Sequence, residues 1–240
     1  MTAAAITWPI VRRRCCEDSA FIGAHNYIIP FIERFNDWPS IDELNQVSKE
    51  LRPDFQWVFV EQSVVPRRAK SRGDASLSGY VALIGTQGKI PVRQRSLHDF
   101  LNCLSFLIFP MSKLQLNLRH FQESPNGLMP GENRTRTQDL LTVFDEGGVI
   151  RLKDNKGDSV DLIFGHAIYE HLLKGQKVRA ARIDFTTTNS VTNQNYWVLN
   201  NVADQLFADW LKNSSHCQSS HEFSNVWLEP NFVVSALDQH

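Results

Sequence analysis

The sequence predicts an α+β fold: a single, predominantly helical domain with a small antiparallel sheet. Three observations carry this expectation. Apolar residues recur at the helical period through two abutting segments, Ser96 to Ile108 and Pro110 to Phe121, which form a central helix pair at about 96–121. Runs rich in Phe, Trp, Val and Ile at Asp54 to Val65 and Val178 to Phe185 read as strands. The DEGG sequence at Asp145 to Gly148 lies between two short apolar runs, the pattern of a hairpin at about 140–152.

Taken in order, residues 1–37 are an N-terminal segment that is partly helical. Ser40 followed by Glu43 has capping-box spacing, and Leu44 with Val47 begins an apolar face, so a short helix starts there. Arg67 to Ser78 has few apolar residues and reads as an exposed loop. Tyr80 to Gly85 suits a strand or the start of a helix, and Gly88 to Arg93 is an extended turn that brings Arg93 close to the helix pair.

In that pair, Ser96 and Asp99 repeat the capping-box spacing, while Leu97, Phe100, Leu101, Leu104, Leu107 and Ile108 form the apolar face. Pro110 disfavours helical geometry at Phe109, so the chain breaks there and restarts with Pro at the first helical position. After a Gly, Pro and Asn-rich connection at Pro125 to Arg136 comes the hairpin. Phe164 to Leu173 is a helix ended by Gly175, and Val202 to Leu211 is amphipathic. The globular domain is set at 38–213, with 214–240 as a tail.

Bulk composition excludes several classes. The chain has 240 residues with 25 basic and 26 acidic side chains, a formal charge of −1, so it lacks the field of a general nucleic-acid or anionic-membrane binder. No apolar run reaches the roughly 18 residues of a membrane span. The four cysteines show no C-x-x-C pair, and adjacent Cys15 and Cys16 are poorly placed to bond each other, which fits a reduced, cytoplasmic setting. Arg12, Arg13 and Arg14 follow the first apolar stretch instead of preceding it, the inverse of a secretory signal.

A resemblance rests on a string of residues. Gly88, Pro91, Arg93, LHDFLN at Leu97 to Asn102, Phe109, Pro110, Lys113, Asn117 and His120 resemble the signature of the bacterial domain-of-unknown-function family 3025. Arg134 or Arg136 with Asp139, LTVFDEGG at Leu141 to Gly148, and FGHAIYEHLL at Phe164 to Leu173 keep the family's order, so the likeness spans Trp38 to Leu173. Phe106 departs from the Trp usual in that family, and its proline- and glycine-rich end is not evident after Phe223. The resemblance implies no reaction.

Polar groups inside apolar segments must find partners or form a site. His98, His166, Asp139 and Glu170 are the candidate catalytic groups, because imidazoles near neutral pKa exchange protons and carboxylates orient them. His166 and Glu170, one turn apart, can share a proton or a metal, although a catalytic zinc needs a third ligand. Arg93, Lys113 and Asn117 are the candidate anion-binding residues, and Asp99, Asn102 and Asp145 the supporting network. Glu146 is read with Asp145 as part of a turn. The favoured expectation is an enzyme, a hydrolase or transferase, acting on a phosphorylated or carboxylated small molecule by His and carboxylate acid–base or metal-assisted chemistry. The alternative is a non-catalytic binding or scaffolding protein with a buried polar network. The sequence names no cofactor and no oligomeric state; an anionic small molecule is the expected partner.

Overall fold

The structure, a computed structural model, describes residues 7–17, 29–62, 76–123, 133–192 and 194–229. Most of the loop expected at Arg67 to Ser78 and of the connection at Pro125 to Arg136 lies outside these residues, as do the last residues of the expected first strand. Helix α1 is Trp8–Glu17, α2 Ile29–Ile32 and α3 Ile41–Leu51, the last started by the Ser40 and Glu43 capping box that the sequence indicates.

Strand β1 (Val58–Glu61) and β2 (Lys89–Val92) pair in parallel, with α4 (Ser76–Gln87) between them in the chain. Tyr80 to Gly85 is thus helical. Gly88 has φ 63°, a left-handed conformation that glycine adopts without strain, and it turns the end of α4 directly into β2.

The helix pair is α5 (Leu97–Ile108) and α6 (Pro110–Glu123), broken at Phe109 as expected. Only half of the Ser96 capping box forms. The Ser96 hydroxyl accepts from the Asp99 amide, but the Asp99 carboxylate turns to Arg93, a stronger charged donor. At the start of α6, Asp204 accepts from the amides of Met111 and Ser112 at 3.0 and 2.7 Å, satisfying donors that a helix N-terminus leaves free.

The hairpin expected at 140–152 is not there. Arg136–Gly147 is helix α7, started by a capping box between Thr135 and Gln138, with Leu141 and Phe144 buried one turn apart. The two glycines end the helix instead of turning a hairpin. A Cβ on Gly148 would stand 2.4 Å from the Phe144 carbonyl oxygen, so the chain passes there only without a side chain. The hairpin follows, between β3 (Gly148–Lys153) and β4 (Ser159–Ile163).

Helix α8 (His166–Leu173) then returns the chain so that β5 (Val178–Thr186) joins β3 in parallel, and β6 (Ser224–Leu228) pairs antiparallel with β5. The sheet, ordered β4-β3-β5-β6, is therefore mixed and not purely antiparallel. The crossover through α8 is what permits the parallel pair.

Helix α9 (Tyr196–Lys212) packs on α6, and Phe144, Phe164 and Phe207 meet at its face with ring centroids 4.6 to 5.4 Å apart. Segments outside 38–213 enter the same core: Trp8 and Leu228 are buried, and Phe223 stacks on Phe144. Among the described residues no helix is long and apolar enough to cross a membrane.

Candidate active site

Gly165 creates the site. Phe164 and Gly165 donate their amides to the Gly148 carbonyl, and a Cβ on Gly165 would lie 2.5 Å from the Glu146 carbonyl oxygen. The last turn of α7 therefore abuts the first turn of α8, which places Glu146 beside His166. The N-terminal turn of α5 brings His98 across to both.

The two imidazoles meet through their Nε2 atoms at 3.1 Å, with rings 71° apart. Glu146 faces both, with one oxygen 3.8 Å from His98 Nε2 and the other 3.5 Å from His166 Nε2. Behind His98, Nδ1 lies 3.3 Å from a Glu170 oxygen, and the other Glu170 oxygen accepts from Lys174 Nζ at 2.6 Å. His166 is 2% exposed, whereas the side chains of His98 and Glu146 are 35% and 42% exposed, so the cluster opens on one side only.

The electrostatics follow from this half-burial. Burial, helped by the Lys113 charge, pushes the His166 imidazole down to about 3, so it is neutral at physiological pH. Burial also raises Glu146, with Asp145 and Glu170 acting in the same direction. For Glu170 burial acts upward, but the hydrogen bond and charge of Lys174, with His98, hold it below its usual range.

Next to this open cluster is a closed one. Lys113 is 1% exposed, and its Nζ donates to Asp145 at 2.5 Å and to Asn102 at 2.7 Å. Asn102 in turn donates to the Tyr80 hydroxyl, and Asn117 to the Lys113 backbone carbonyl. The ammonium also stands 4.6 Å over the ring of Phe106. Burial acts to raise Asp145, but Lys113 and His166 keep it lowered.

Of the residues singled out in the sequence, His98, His166 and Glu170 come together, and Lys113, Asn102 and Asp145 form the adjoining network with Asn117. Arg93 is taken up by Asp99 through its backbone amide, Nε and Nη2 at 2.7, 2.9 and 2.6 Å, so its charge is matched within the protein. Asp139 is exposed on the first turn of α7, where a carboxylate suits the positive helix end. Seven residues separate it from Glu146, which is roughly 10 Å along a helix axis, and it stands outside the cluster. Glu146 is the functional candidate that the sequence reading missed. The Thr135 and Gln138 capping box was the available signal, since a helix from Arg136 carries Glu146 into its last turn.

This is an α+β protein with a half-open pair of histidines facing a carboxylate. Residues 58–160 match the model of a family described as Protein of unknown function (DUF3025). The match includes His98, Lys113, Asp145 and Glu146 and stops before His166 and Glu170. No curated protein and no solved structure matches the chain.

Proposed function

We propose that the protein is an enzyme that activates water at the His98, His166 and Glu146 cluster and hydrolyses a small molecule carrying a phosphoryl or acyl ester. The observation that carries this reading is the approach of two imidazole Nε2 atoms to 3.1 Å at the mouth of a site whose third wall is a carboxylate. A water seated against these groups loses a proton to the cluster as its oxygen bonds to the phosphorus or acyl carbon, and the ester bond to the alcohol breaks as the cluster returns that proton to the departing oxygen. Glu170, ionised and held by Lys174, keeps the His98 ring oriented.

Lys113, Asp145, Asn102 and Tyr80 have a structural role in this reading, because their donors and acceptors are matched among themselves. Lys113 and Arg93 are both paired to carboxylates, so neither charge is left unmatched for an anionic substrate. Cys103 and Cys217 are buried thiols outside any disulfide, which fits a reducing cytoplasm.

A panel of phosphomonoesters, phosphodiesters and acyl esters tests the reading. The wild-type protein is expected to turn over at least one class, and His98→Ala and Glu146→Gln to lower that rate by about 100-fold or more with the melting temperature unchanged. Turnover insensitive to both substitutions places the chemistry elsewhere.

A further inference from the structure

We infer that His98, His166 and Glu146 bind a zinc-type divalent cation, with Glu170 orienting the His98 ring. The inference rests on the hydrolytic reading for its location and deepens it by naming what activates the water.

The first argument counts protons. Glu170 is an ionised carboxylate and accepts only, so the hydrogen bond at His98 Nδ1 puts the proton there and leaves a lone pair on Nε2. His166 Nδ1 is buried with no hydrogen-bond partner among the described residues, while its Nε2 faces His98 Nε2 at 3.1 Å and a Glu146 oxygen at 3.5 Å. The His98 lone pair, the His166 Nε2 and the Glu146 carboxyl thus converge on one point, a donor set that a cation at its centre joins.

The second argument is metrical. Ligands about 2.0–2.1 Å from zinc stand roughly 3.3 Å apart at tetrahedral angles. The three separations here are 3.1, 3.5 and 3.8 Å, so small side-chain shifts suffice.

The third argument is access. One ligand is buried and two are part-exposed, which leaves the fourth position toward solvent, as a catalytic rather than a structural zinc requires. Glu170 behind His98 completes the carboxylate–histidine–metal arrangement that fixes the tautomer and orientation of the ring. The nearest buried ammonium, Lys113, is cancelled by Asp145 at 2.5 Å and does not repel the ion unopposed. A cation at this point acidifies a bound water, which is the activation the reaction needs.

The test uses the untagged full chain, stripped with a chelator and dialysed against Zn²⁺, with Co²⁺ as a spectroscopic probe. One equivalent of Zn²⁺ is expected, and the Co²⁺ form should show the visible absorption of a four-coordinate site. His98→Ala and Glu146→Gln are expected to weaken Zn²⁺ binding by at least about 100-fold, and Glu170→Gln by about 10- to 100-fold, with the metal-free melting temperature unchanged. Failure to bind stoichiometric Zn²⁺, or binding unaffected by His98→Ala and Glu146→Gln, overturns the inference. Zn²⁺ bound as expected without turnover of any ester sinks only the hydrolytic reading, whereas turnover that persists after chelation sinks only the metal.

Discussion

Asp145 and Glu146 are adjacent in the chain, yet they belong to two regions with opposite character. Asp145 turns into the closed network, where an ammonium with 1% exposure saturates it and holds its carboxyl low. Glu146 turns to the open cluster, where it meets imidazoles instead of a fixed cation, and burial raises it. The difference teaches what separates a structural polar network from a site. In the first, donors and acceptors are matched around a buried ammonium; in the second, acceptors meet no fixed cation and one side stays accessible. Two neighbouring carboxylates pushed apart in this way are a common mark of divided roles.

The largest expected effect falls on the closed side. Lys113→Met leaves Asp145 facing a buried pocket without its cation and should cost about 3 kcal/mol or more in urea denaturation. Adding Asp145→Leu should recover most of that loss, because removing both charges is far less damaging than removing one. A single substitution as costly as the pair, with no recovery, would mean the network does not act as a unit.

Gly165→Ala probes the joint between the two regions. The added methyl meets backbone at 2.5 Å, so α7 and α8 must separate, at an expected cost of about 2 kcal/mol. Its readout beyond stability is the pKa of His166, which should rise from about 3 in an NMR titration as the buried ring gains solvent, an effect larger than the opposing loss of the Glu146 contact. An unmoved titration would show that the abutting turns are not what buries it.

Asp99→Asn should cost less, about 1 kcal/mol at neutral pH, since its partner Arg93 has a side chain 58% exposed and solvent screens the pair. Burial opposes ionisation of Asp99, but the Arg93 hydrogen bonds and charge win and hold its carboxyl below its usual range. The sign follows: a lowered folded-state pKa stabilises above the unfolded value of about 3.9, and that contribution fades as pH falls through the folded pKa. The gap between wild type and variant should therefore close in acid, and a gap constant from pH 7 to pH 2 would contradict the assignment.

The smallest effect is expected on the open side. His98→Ala and Glu146→Gln should change stability by no more than about 0.5 kcal/mol in the metal-free protein, because both side chains are part-exposed. A loss as large as that of Lys113→Met would erase the distinction between the two regions.

Much of the helical framework was legible in the sequence. The break at Phe109 and Pro110, the Ser40 cap, and the helix that ends at Leu173 arise from local sterics and local hydrogen bonds, which residue order alone specifies. The segment at 140–147 was misread because DEGG serves a helix end as well as a turn. The Thr135 to Gln138 cap upstream settles the choice. At the candidate site, His98, His166 and Glu170 stood out as polar residues in apolar segments, but Glu146 did not, since its importance depends on where α7 stops.

By itself the sequence determined which segments are amphipathic, where helices begin and break, and which polar groups would have to be buried, because these depend on neighbours within about four residues. The tertiary structure alone decided that His98 would meet Glu170 72 residues away, and that Lys113 would take Asp145 and leave Glu146 free. The physical reason is that a side chain's proton affinity and partners depend on burial and on charges within a few ångströms, and only the packing of α5, α6, α7 and α8 brings those within reach.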